Sequence, residues 1–205
     1  MIRRLASTLA LASLLAAPLA AQAPANATRP AATAAPTWRI DPTHSELSFK
    51  VRHLVSRVSG TFGDWSGTIV TEPNRLNQGS VNVAIKTASI STGNARRDEH
   101  LRSGDFFDAA AHPEITFRSN RVEVQGENLK VHGNLTMRGV TKPVVLEGRF
   151  IGRTRDGQGK ERIGFEAETT INRMDYGVAW NNLVEGSAVV GDEVTISMVV
   201  AAVRQ

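Results

Sequence analysis

The chain contains no cysteine, which excludes disulfides, thiol nucleophiles, Cys-ligated metal and a lipid anchor attached through sulfur. Stability without covalent staples has to come from an apolar core. The five histidines, His44, His53, His100, His112 and His132, include no His-x-His and no i, i+4 pair, so the spacing of a local metal site is missing as well. Ser45 follows His44 directly, and neighbouring strand residues point to opposite faces, so these two cannot pair as nucleophile and base. Gly67, Gly79, Gly133 and Gly139 compose no phosphate loop ahead of a helix. Charge of one sign is also scarce: the 205 residues carry a formal +4, with no cluster of Lys and Arg, so a nucleic-acid partner is not expected. No metal, cofactor or catalytic constellation is expected from these residues.

Long apolar runs are confined to the N-terminus. Arg3 and Arg4 precede the Ala- and Leu-rich stretch Leu5 to Leu19, and small residues follow at Ala23-Pro24-Ala25, the layout of a cleavable secretory signal. The stretch is too short for a membrane anchor, so residues 1–25 read as a signal and the mature form is not expected to insert stably in a membrane. Residues 26–36 hold Ala, Pro, Thr and a single large polar side chain, Arg29, besides Asn26; with nothing to bury, they read as a disordered linker. The signal carries two Arg and no acid, so its removal lowers the net charge from +4 to +2. Residues 37–205, 169 in all, are enough for one core and read as one domain. An exported chain without cysteine suits the bacterial periplasm.

Alternation is what this domain has in quantity. Leu47, Phe49 and Val51 alternate with Glu46, Ser48, Lys50 and Arg52, the period of two that sends apolar side chains to one face of a strand and charges to the other. The same test predicts strands around Val81, Val83 and Ile85; Ile115 and Phe117; Val122 and Val124; Leu129 and Val131; Leu135 and Met137; Ile163 to Ile171; and Val194 to Val200. Glu72-Pro73-Asn74, Gln125 to Asn128 and Arg155 to Gly159 supply turns between them. One polar face per strand and short connections predict an all-β fold: an antiparallel sheet of about eight strands closing into a barrel. The exception is Asn94 to Ser103, which lacks the alternation and holds good helix formers, with Asn94 or Thr92 as cap and Gly104 just beyond. Phe106 and Phe107 follow it, and two adjacent rings in a loop are expected to cover something apolar.

Several longer motifs stand in order along the domain: Asp41 to Leu54, Gly60-Thr61-Phe62, Ser89 to Thr92, Arg97 to Leu101, Phe106-Phe107-Asp108, Pro113 to Ser119, Gly133 to Val144, Arg173 to Gly177 and Gly191 to Val194. From Trp38 to the C-terminus the chain resembles the YceI family. The resemblance implies a lipocalin-like antiparallel β-barrel, exported to the periplasm, that binds a long isoprenoid or similar amphiphilic lipid inside. An eight-stranded barrel has room for one small ligand, and strands of six to eight residues give an interior roughly 20 to 25 Å long.

On that reading the candidate ligand-binding residues are Leu47, Phe49, Val51, Ile115, Phe117, Met137 and Phe165 as tunnel lining, with Phe106, Phe107 and Trp180 at the rim. The same inward residues serve equally as an ordinary core. His53 continues the phase of Leu47, Phe49 and Val51 and offers an imidazole to a head group; Arg97, Asp98 and His100 lie on the helix, where an Arg can meet an anion or an Arg and Asp network can lock the helix in place. Two other classes of function stay open: a hydrolase or isomerase acting on such a lipid at the barrel mouth with His53 or His100 as base, and a stress-related structural or partner-binding barrel with a solid core. A homodimer is expected if the barrel leaves an edge strand free.

Overall fold

The computed structural model describes residues 34–205 except 182, 185 and 186. The expected signal and most of the linker lie outside the described residues, and Ala34 to Pro36 lead directly into the first strand.

Three of the eight walls are strands broken once. β1 (Thr37–Ile40) and β2 (Glu46–His53) are separated by a 3-10 turn at Pro42–His44. Pro42 has no N–H to give a ladder, and the Asp41 side chain accepts from the Thr43 N–H at 3.1 Å, so the break is written into the sequence. β3 (Ser56–Phe62) passes through Gly63-Asp64 into β4 (Trp65–Val70), and β5 (Ser80–Lys86) through a 3-10 turn at Thr87–Ser89 into β6 (Ile90–Ser91). The helix α1 (Ala95–Arg102) follows, capped by the Asn94 side chain on the Arg97 N–H at 3.1 Å. β7 (Glu114–Gln125), β8 (Asn128–Met137), β9 (Val140–Arg155) and β10 (Glu161–Asn172) then run as successive hairpins. A small hairpin, β11 (Leu183–Val184) with β12 (Ser187–Ala188), precedes the last strand, β13 (Val190–Arg204).

All pairings are antiparallel, and β13 closes the ring by pairing on one side with β10 and on the other with both β1 and β2. The result is a closed eight-stranded antiparallel barrel with one helix. Closure leaves no whole wall with a free edge; an edge bonded on one side only is confined to part of a wall, as from Val140 to Leu146 of β9.

The registers define two ends. Trp38 lies opposite Arg204, and His53 lies opposite Val190. One end, the helix end, therefore gathers the β2–β3 and β8–β9 turns, α1 and the 3-10 turn Arg173–Tyr176. The other gathers the chain before β1, the β4–β5 connection, the β7–β8 and β9–β10 turns and the C-terminus. Trp38, Ile69, Ile163 and Ala202 close this second end, and the Trp38 indole N–H donates to the Thr71 carbonyl at 2.8 Å. Outside the ring, Arg162 reaches from β10 to the break in the first wall, bonding Asp41 at 2.6 Å and Asp156 at 2.9 Å.

Two departures from the expected strands have physical causes. The two short strands expected around Ile115 and Val122 are one strand, β7, whose register against β8 shifts between Ser119 and Arg121. A bulge of this kind moves the buried phase from odd to even numbers, which makes one strand look like two. The longest strand, β9, was absent from the expected set, because Val145 and Ile151 are exposed apolar residues on its outer face and Pro143 interrupts it. Pro143 is tolerated because β10 pairs with β9 only between Glu147 and Arg155; from Val140 to Leu146 β9 is bonded to β8 alone. The 3-10 turn Arg173–Tyr176, with Tyr176 and Val178 buried, packs against β9 beside this unpaired length.

Candidate functional site

The inward residues of the eight walls do not meet in the middle. They enclose an elongated cavity of about 230 Å³ that extends from Leu76 and Ile69 toward Phe106 and Phe107. A cavity of roughly 150 Å³ already holds benzene when its walls are apolar.

Nine of the expected positions line it: Leu47, Phe49 and Val51 from β2, Phe106 and Phe107 from the loop after α1, Ile115 and Phe117 from β7, Met137 from β8 and Phe165 from β10. Phe106 and Phe107 hold their place because Arg138, in the β8–β9 turn, donates to the carbonyls of Gly104, at 2.9 Å, and Phe106. Ring contacts continue from Phe49 to Phe62 at 5.8 Å and from Phe62 to Phe107 at 6.1 Å.

The other five do not reach the cavity, and they form the frame of the helix end instead. His53 ends β2 opposite Val190, where β13 bulges, and lies beyond the last lining residue of its strand. Arg97 is exposed and turns back on the loop before its helix, donating to the Thr92 hydroxyl at 2.7 Å and the Thr92 carbonyl at 3.1 Å. Asp98 is buried and accepts from the Thr92 N–H at 2.8 Å and the Thr92 hydroxyl at 2.5 Å. Burial pushes its carboxyl up, but these bonds from Thr92, with help from Arg102 and Ser91, outweigh it and hold the group below the usual range. His100 contacts Asp105 through Nε2 at 2.8 Å and sets its ring edge-on to Phe106 and Trp180 at 5.0 and 4.9 Å. Trp180 packs on Phe106 at 5.1 Å, so it supports the rim from behind.

The sequence reading passed over several lining residues. Phe62 and Trp65 flank the break between β3 and β4, which hides their common face; Val144 and Leu146 belong to the unrecognised β9. Arg173 is the least expected, because a cation is rarely sought in an apolar wall. It is 4% exposed. Its guanidinium donates to the carbonyls of Gly191 at 2.8 Å, Val178 at 2.5 Å, Trp180 at 2.9 Å and Val190 at 3.3 Å, with the Asp192 carboxylate at 3.7 Å. Burial pulls its pKa below that of an ordinary arginine, with Asp192 opposing. A single side chain thereby ties the 3-10 turn to the start of β13, and it keeps its polar atoms away from the lumen.

Almost nothing polar faces the cavity, and among the described residues no buried side-chain nitrogen or oxygen lacks a hydrogen-bond partner. Nor do three or more metal-ligating carboxylates or imidazoles gather anywhere among them. Such a wall can hold a hydrocarbon by burial, worth roughly 0.8 kcal/mol per methylene, and has no means to orient a polar group. No helix among the described residues is long and apolar enough to cross a membrane.

Known proteins share this construction. The protein YceI of Escherichia coli is 41% identical over 150 residues, which span 72% of this chain and 78% of that protein. The crystal structure of the Campylobacter jejuni YceI protein superposes with a TM-score of 0.67 at 34% identity, covering 76% of this chain and 91% of the other. A polyisoprenoid-binding domain from Saccharophagus degradans shares the fold, with a TM-score of 0.61 at 19% identity over 82% of this chain and 98% of that one. Residues 38–202 match the model of the YceI-like domain, and the chain belongs to the YceI family.

Proposed function

We propose that this protein binds an amphiphilic isoprenoid-type lipid, a polyprenyl chain or an isoprenoid quinone, and sequesters or carries it in the periplasm without making or breaking a bond. The observation that carries the reading is the elongated lumen with an apolar wall, lined from all eight sides of the barrel. A tail is recognised there by burial alone, so the head group stays at a mouth of the barrel. Support comes from the related fold of the Saccharophagus degradans domain, a polyisoprenoid-binding domain, and, for the compartment, from the signal-like residues 1–25. Scaled from the cavity of roughly 150 Å³ that holds benzene, 230 Å³ takes about two isoprene units with the side chains as they stand. A longer tail requires lining side chains to rotate aside.

The cavity also weighs against a barrel with a solid core; His53 and His100 lie outside its wall, so either would reach only a head group at the mouth and not the buried tail. The deciding experiment is mass spectrometry of an organic extract of the protein purified gently from its host's periplasm, beside a sample stripped by boiling and repurified. One isoprenoid per protein supports the carrier reading and names the ligand. An empty extract, with no uptake of added quinones or prenols by the stripped protein, overturns it.

A further inference from the structure

Phenylalanine is a costly residue to aim into a narrow lumen. A ring on the inner face of an eight-stranded barrel either crosses the bore or lies flat against the neighbouring strand, and the Cβ of an ordinary residue on that strand stands where the flat ring would go. Two of the inward rings meet no such Cβ. Phe49 on β2 lies directly across from Gly60 on β3. A Cβ on Gly60 would be 2.5 Å from Phe49 Cζ and 2.7 Å from Cε1. Phe117 on β7 leans the same way, toward β8, where a Cβ on Gly133 would meet its Cζ and stand 2.6 Å from Cε2. Gly60 and Gly133 both face inward, in phase with Phe62 on β3 and with Leu135 and Met137 on β8. Both have ordinary negative backbone angles, unlike the turn glycines, so neither is there for its conformation. What the two share is a ring in the place of a side chain.

We infer that Gly60 and Gly133 set the bore of the cavity: each is a notch that lets a phenyl ring lie along the wall, so that the lumen stays open to a single slender chain. Resting on the lipid reading, the inference adds which residues decide what fits. The size of the effect follows from volume. A cavity of roughly 150 Å³ already holds benzene, and the lumen has 230 Å³, so one ring turned inward takes a large share of it. Both rings line the lumen as they lie now, giving a prenyl chain apolar surface on two of its walls.

The test pairs each glycine with its ring. Farnesol affinity is measured by titration for the wild type, Gly60→Ala, Gly133→Ala, and the doubles Gly60→Ala/Phe49→Leu and Gly133→Ala/Phe117→Leu. Either single substitution also brings its Cβ close to a carbonyl, that of Ser91 or Arg118, and this strain persists in the doubles. Any recovery in a double therefore reports the ring and not the backbone. The singles are expected to bind farnesol at least tenfold more weakly and the doubles to return to within about threefold of the wild type. Singles that bind like the wild type, or doubles as weak as the singles, overturn the inference. A wild type that takes no farnesol or longer prenol counts against the lipid reading instead. The crystal structure of Gly133→Ala then decides the bore on its own: a Phe117 ring turned into a smaller cavity supports it, and an unmoved ring overturns it. Should that variant not fold, Phe117→Leu alone, which leaves the notch empty, is expected to enlarge the cavity at Gly133, and an unchanged cavity would refute the notch.

Discussion

Asp98 and Arg173 are both buried, at 6% and 4% exposure, and each is held chiefly by groups other than a charged partner. Asp98 receives the Thr92 N–H and hydroxyl; Arg173 spends its guanidinium on four carbonyls. In each case a charge fixes loop backbone that a barrel end cannot bond into a ladder. Truncating Asp98 to Ala strands the Thr92 donors in a partly buried site, at a cost of about 1 to 3 kcal/mol. Because the Thr92 bonds hold the Asp98 carboxyl below its ordinary range despite burial, its contribution is complete above the unfolded-state pKa and is lost as the pH falls through the folded one. Urea unfolding is thus expected to separate wild type from Asp98→Ala at pH 7 and to separate them less at pH 3. An equal gap at both values would mean that the carboxylate's charge contributes nothing.

Among the elements, the first wall is interrupted where Pro42 breaks the ladder between β1 and β2. Asp41 compensates from the outer face, bonding Arg162 of β10 across the intervening β13 at 2.6 Å and meeting His44 Nδ1 at 2.9 Å. The Arg162 guanidinium, followed by His44, lowers the Asp41 pKa from 3.8 to about 2. A depressed carboxylate stabilises above its unfolded pKa, so this contribution, about 2 kcal/mol by linkage, fades between about pH 4 and pH 2. Asp41→Asn is expected to unfold at lower urea than wild type at pH 7 and to match it near pH 2; a constant difference across that range would refute the clamp. The elements also differ in how far the sequence disclosed them. β2 and β10 alternate cleanly, and β13 does so from Val194 to Met198, because each has one wet face there. β9 does not, as Val145 and Ile151 face water, and the break in β7 is a bulge that a period-two reading takes for an end. Binary patterning reports burial, so it fails wherever an outer face is apolar or a register slips.

At the scale of the whole molecule, the motifs located the barrel and nine of the fourteen candidate positions on its cavity wall, but they could not tell a wall from a core. That difference lies in which way Phe49 and Phe117 lean, a matter of the glycine on the next strand and not of the phenylalanine. It also lies in the contrast between the two ends. Trp38, Ile163 and Ala202 are 0%, 1% and 0% exposed where the second end closes, and the Asp41, Arg162 and Asp156 network braces it from outside. At the helix end β9 is not paired with β10 before Glu147, and loops carry the closure. Local stability follows ladder pairing and buried contacts, so amide exchange is expected to be slowest around Trp38, Ile163 and Ala202 and faster in residues 140–146 than in 147–155 of the same strand. A prenyl chain in the lumen adds contacts chiefly to what is loosely held, so farnesol is expected to slow exchange most in residues 101–107 and 140–146. Hydrogen exchange read by mass spectrometry, with and without farnesol, checks both statements: uniform exchange along β9 would contradict the first, and protection confined to the second end would place the mouth there, beside Leu76, and make the helix end the closed one.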